Sequence, residues 1–125
     1  MMKRFALSGL LVGLFFAGLS SCSRDQGPPP PLAAEQIPSE FDKVFKHAKP
    51  EVKELATRVV SALQAKDYPA AFAAVQSLSA AAGATRQQQS LVARAIITVY
   101  GLLQTAQAQG DEKAAAVIQD YRSFK

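Results

Sequence analysis

From residue 39 to the end of the 125-residue chain, apolar side chains return every three or four positions, in runs broken by proline, glycine and aspartate. That period is one face of an α-helix and not the alternation of a half-buried strand. The first run is Phe41, Phe45, Ala48, Val52, Leu55, Val59 and Ala62 or Leu63, with spacings that alternate four and three. Pro50 interrupts it without shifting its phase. At about 100° per residue, Pro50 falls opposite Phe41 and Val59. One long helix bent at Pro50, or two helices almost in line, is therefore expected. On the outer face water can partly replace the hydrogen bond that proline removes. Ser39 after Pro38, with Asp42 three residues on, is close to a capping box and marks the predicted start.

Lys66-Asp67-Tyr68-Pro69 ends this element, and Pro69 suits a first helical turn. The next stripe is Ala71, Phe72, Val75, Leu78 and Ala82, with Gly83 as its predicted stop. Thr85 and Gln88 have capping-box spacing and open a long helix. Its apolar side is Leu91, Val92, Ala95, Ile96, Val99, Leu102, Leu103 and Ala106, and Gly110 closes it. Asp111 can cap a last helix with Ala114, Ala115, Val117, Ile118 and Tyr121 facing inward. The single strand-like cluster, Ile96-Ile97-Thr98-Val99-Tyr100, sits inside a helical pattern rich in Ala, Gln and Leu. The predicted fold is all-α: a small antiparallel bundle of two helical hairpins.

Lys66-Asp67-Tyr68-Pro69-Ala70-Ala71 and Gly110-Asp111-Glu112-Lys113-Ala114-Ala115 echo one another. Each lies between a long helix and a short one, and each resembles the mid-repeat turn of a tetratricopeptide repeat. The resemblance implies a small-residue position at Ala71 and Ala115. Elsewhere the pattern departs from that family: Val59 and Leu103 stand where it prefers Gly or Ala, and Leu78 and Arg122 replace a second Ala. The turns lie 44 residues apart, against the usual 34. The hairpins are tetratricopeptide-like, and a closed bundle is compatible with only two units.

The N-terminus has a different character. Lys3 and Arg4 precede an uncharged run from Phe5 to Leu19, and Ser20 and Ser21 lead to Cys22. A positive start, a short apolar middle and a small-residue exit are the parts of a secretory signal peptide. The run is shorter than the roughly 20 residues that span a bilayer core. Leu19-Ser20-Ser21-Cys22 resembles a bacterial lipobox. The resemblance implies cleavage between Ser21 and Cys22, a thioether-linked diacylglycerol on Cys22 and an acyl chain, such as palmitate, on its new amino group. Each buried methylene then contributes about 0.8 kcal/mol, and two or three chains anchor where one does not. In lipoproteins of the enterobacterial type Asp after the cysteine favours inner-membrane retention. Ser23 at that place favours the outer membrane, facing the periplasm, with the inner membrane as the alternative.

The expected organisation is a signal peptide over residues 1–21, a lipidated N-terminus and proline-rich linker over 22–38, and a helical domain over 39–125. Pro28 to Pro31 favour an extended tether, and Ala33 to Pro38 read as more of the same spacer. The alternative use of such prolines is as ligand for a proline-binding groove.

Charge excludes little but weighs against nucleic acid. The whole chain has 14 Lys+Arg and 10 Asp+Glu, and losing Lys3 and Arg4 leaves 12 against 10. Cys22 is the only cysteine, so a lipidated chain keeps neither thiol nor disulfide. His47, the only histidine, lies four residues from Glu51, a metal-ligand spacing on a straight helix, but nothing completes the ligand set. The carboxylate pairs Glu51/Glu54 and Asp111/Glu112 sit near predicted helix starts, where they complement exposed N–H groups. No Gly-x-Ser-x-Gly turn, Cys-x-x-Cys-His site or glycine-rich phosphate loop occurs. Neither catalysis, cofactor nor small-molecule substrate is predicted. On a continuous helix Lys43, Lys46, Lys49 and Lys53 would share about a third of the circumference. They form a candidate cationic face for lipid headgroups or cell-wall polymer, diluted by Glu40, Asp42, Glu51 and Glu54. Tyr68, Tyr100 and Tyr121 read as core-edge residues, or as the lining of a peptide groove. The chain is thus expected to be a non-enzymatic envelope adaptor that binds a protein partner, or else a structural lipoprotein in contact with lipid or cell wall.

Overall fold

The computed structural model describes residues 30–125. Cys22, its cleavage position after Ser21 and the start of the proline run lie outside the described residues. The described part is all-helical: a short 3-10 turn at Ala34–Gln36, then α1 (Ile37–Phe45), α2 (Pro50–Gln64), α3 (Tyr68–Ser79), α4 (Arg86–Ala108) and α5 (Glu112–Ser123). α2 pairs with α3 and α4 with α5, as the two predicted hairpins. α1 packs on both α2 and α4, and α3 also packs on both. Four helices thus enclose one core, and α5 closes the side formed by α3 and α4.

Pro50 acts otherwise than expected. It is not a bend in a nearly straight element but the first residue of a new helix. Lys49 before it is extended, with ψ 149°, because the pyrrolidine ring crowds the α conformation of its predecessor. The chain turns over residues 46–49, and α1 folds back along α2. Phe41, Phe45, Val52 and Val59 remain in phase because both helices bury their stripes in the same core.

Ordered packing also begins earlier than the Ser39 boundary. Leu32 is 4% exposed and Ile37 fully buried, so the segment read as spacer to Pro38 contributes two core residues. An apolar side chain at the end of a proline run is cheap to order, since the prolines have already lost most backbone freedom.

The hairpin turns are built alike. After α2, Lys66 N–H donates to the Leu63 carbonyl (3.0 Å) and Asp67 N–H to that of Ala62 (2.9 Å). After α4, Gly110 N–H donates to Gln107 (3.0 Å) and Asp111 N–H to Ala106 (3.0 Å). Both are Schellman closures, with Lys66 and Gly110 in the left-handed region at φ 57° and 96°. Asp67 and Asp111 then cap the following helices by accepting from Ala70 N–H (3.2 Å) and Ala114 N–H (3.1 Å). The echo is not complete. Ala71 is fully buried, but in the second hairpin Ala114 is, and Ala115 is half-buried.

α3 stops at Ser79, before the predicted Gly83, and Ala82 is exposed rather than part of the stripe. Gly83 lies in the connection to α4, under the flexible stem of Lys49, whose Cδ stands 2.9 Å from where a Cβ would be. The strand-like cluster at Ile96–Tyr100 lies within α4. Phe72, Tyr100 and Tyr121 meet where α3, α4 and α5 converge, with centroids 5.2–5.6 Å apart. Offset and edge contacts of this kind add to the area they bury.

Candidate functional site: a cleft beside α2 and a strap on α4

The folding-back of α1 leaves a cleft of about 310 Å³ between α1 and α2. Its floor is apolar: Phe41 and Phe45, tilted rings with centroids 5.1 Å apart, with Ala56 and Val60. Its rim is polar, with Asp42, Lys46 and Lys53 near one end and Ser61 and Gln64 on the far turns of α2. At the charged end Lys53 Nζ reaches the Lys46 carbonyl at 3.5 Å. That carbonyl belongs to the α1 C-terminus, where a cation offsets the helix dipole. A floor of this size, with a few polar groups around it, suits one or two side chains of a protein ligand.

The four candidate lysines do not share a helix face. Lys43 lies on α1, Lys46 caps its C-terminus, Lys49 caps the N-terminus of α2, and Lys53 lies on α2. The break at Pro50 removes the continuous helix that their common face required. All four are exposed. Lys43 pairs with Glu40 at 3.6 Å, and the stem of Lys49 lies over Gly83. Only Lys46 and Lys53 come together, at the cleft. His47 stands in the turn and Glu51 in the first turn of α2, so their four-residue spacing is not that of one helix. Among the described residues no group of three His, Cys, Asp or Glu side chains gathers as a metal site would require. Glu51 and Glu112 stand in first helical turns and Asp111 is an N-cap, while Glu54 pairs with Arg58 at 2.6 Å. Tyr100 and Tyr121 join the aromatic cluster, and Tyr68 packs half-buried on the core.

The second feature has no counterpart in the sequence reading. The segment leading into α1 lies as a strap along α4. Arg94 Nε donates to the Pro30 carbonyl at 3.0 Å, the Thr98 hydroxyl donates to the Leu32 carbonyl, and the Leu32 side chain enters the core. Its signal was a polar pair, four residues apart, inside the apolar run Ala93 to Val99, together with a leucine ending the prolines. Neither half means anything without the other, and 64 residues separate them.

No helix among the described residues is long and apolar enough to cross a membrane. Comparison with protein-family models, with curated proteins and with solved structures gives no match.

Proposed function

We propose that this chain is a non-enzymatic bacterial envelope lipoprotein: its lipid-bearing Cys22 holds a helical adaptor domain at the membrane, and that domain binds a protein partner. The observation that carries the reading is Leu19-Ser20-Ser21-Cys22 directly behind a short apolar leader. Cysteine is required there because the thiolate is the nucleophile that accepts the lipid. The outer membrane, with the domain facing the periplasm, is the proposed location, on the strength of Ser23.

The α1–α2 cleft supports the partner reading. It sets the exposed Lys46 and Lys53 beside a concave surface that Val60 and Thr57 line, where charge can orient a protein side chain. The division of Lys43, Lys46, Lys49 and Lys53 between two helices favours a protein ligand over broad contact with headgroups or cell wall, which calls for one continuous cationic surface.

Intact-mass analysis of the membrane fraction tests the anchor. The wild-type product should begin at Cys22 and carry acyl mass, and Cys22→Ala should give unacylated protein. An unmodified Cys22 in the wild type would remove the membrane from this proposal. Attachment that survives 1 M salt would separate acyl anchoring from headgroup electrostatics.

A further inference from the structure

The strap contacts repeat at a spacing with physical meaning. Arg94 and Thr98 are four residues apart on α4, a rise of about 6.0 Å. Pro30 and Leu32 are two residues apart, and two residues of polyproline chain rise about 6.2 Å. The two donors thus reach two carbonyls of a segment running beside the helix, the long Arg94 side chain adapting to the direction of the Pro30 carbonyl. Proline suits such a segment because its fixed φ pre-forms it and its missing N–H leaves nothing to satisfy. Ala33, at φ −66° and ψ 142°, continues the extended form up to the 3-10 turn. Leu32, 4% exposed, supplies the apolar anchor next to the two polar contacts. Backbone carbonyls read in register and one buried side chain are the recognition elements of a peptide site.

We propose that the Arg94–Thr98 face of α4 is a binding site for an extended proline–leucine segment, filled in the resting chain by its own Pro30–Leu32. The occupant is held in cis by covalent connection, so a partner segment of the same chemistry must displace the strap to bind. The exchange leaves the core balanced, because one leucine replaces another. It also frees chain. Where Cys22 is lipid-anchored, eight residues separate it from the strap's first contact, and an extended chain of that length spans about 25 Å. With the strap released, the fifteen residues to Ile37 span about 45 Å. Partner binding would then extend the reach of the domain from the membrane. The binding site itself does not depend on lipidation, so failure of either proposal leaves the other standing.

The test uses the full chain in detergent and a fluorescent peptide, Gly-Pro-Pro-Pro-Pro-Leu-Ala-Ala-Glu-Gln-Ile, followed by anisotropy. Leu32→Ser weakens the cis strap and should tighten peptide binding at least about tenfold over wild type, because the competent site is no longer occupied. Adding Arg94→Ala and Thr98→Val to Leu32→Ser should abolish that gain, and a peptide with serine in place of leucine should not bind. Pro31→Gly keeps Leu32 but gives the free strap more freedom, and should produce a smaller gain. It decides the matter if circular dichroism shows Leu32→Ser to be unfolded. Equal affinity of wild type and the folded strap variants, binding indifferent to Arg94 and Thr98, or no binding at all would overturn the proposal.

Discussion

Gln88 Nε2 donates to the Val44 carbonyl at 3.3 Å, joining the first turn of α4 to the last turn of α1 across 44 residues. The same side chain accepts from Thr85 N–H at 2.9 Å, while Gln88 N–H donates to Thr85 Oγ1 at 3.1 Å. One residue therefore completes a capping box and satisfies a carbonyl that a helix end leaves without an intrahelical partner.

Gln88→Ala should accordingly cost more than an ordinary cap substitution. At 6% exposure the position is closed to water, so Thr85 N–H and the Val44 carbonyl lose partners that solvent replaces poorly. A loss of about 2 kcal/mol is expected, read as a lower urea midpoint at unchanged slope. Gln88→Glu keeps the acceptor but loses the donor, and a negative charge would face the Val44 carbonyl. It should be no better.

The two Schellman turns predict changes of opposite sign. Lys66 occupies the left-handed region at φ 57°, where its Cβ is strained, so Lys66→Gly should raise stability by about 1 kcal/mol. Gly110 at φ 96° has open space around it, so the cost of Gly110→Ala is one of backbone conformation and not of collision. It should lower stability by about 1 kcal/mol. Chemical denaturation of both variants checks the pair.

Phe72 is fully buried and touches both Tyr100 and Tyr121. Phe72→Ala leaves a cavity where three helices meet and should cost about 3–5 kcal/mol. Thermal unfolding followed by circular dichroism should shift down by more than about 10 °C. Phe72→Leu should recover part of the volume but not the edge-to-face contact with Tyr121.

Glu54 and Arg58 form the shortest ion pair among the described residues, at 2.6 Å, yet both side chains are 64% exposed. A double-mutant cycle with alanine at both positions should return a coupling below about 0.5 kcal/mol that shrinks with added salt. A larger, salt-insensitive coupling would mean that the pair is shielded by something bound beside α2.

Local chemistry was legible in the residues, and long-range chemistry was not. The Thr85–Gln88 capping box, the Asp111 cap and the stop at Gly110 are contacts within a few positions, so residue type and spacing suffice to place them. The break at Pro50 is hidden in the sequence because helical phase is blind to direction: a stripe that continues through a break looks the same whether the helices run on or fold back. Gly83 does not mark the helix end, because α3 has already closed at Ser79 through the Ala80 and Ala81 N–H groups. Lys43, Lys46, Lys49 and Lys53 inherited the Pro50 error, since their shared face existed only on an unbroken helix.

Apolar periodicity and cap residues by themselves determined that residues 39–125 are helical, the bounds of α4, the start of α5 and much of the core stripe, because burial stripes and caps are properties of single segments. Tertiary structure alone decided that α1 folds back on α2 to leave an aromatic-floored cleft, and that Pro30 to Leu32 leave the tether to lie along α4. The first depends on α1 packing against α4 as well as α2, and the second on segments more than 60 residues apart meeting. Leu32 packs into the core while Arg94 and Thr98, on a helix more than 60 residues away, donate to the Pro30 and Leu32 carbonyls.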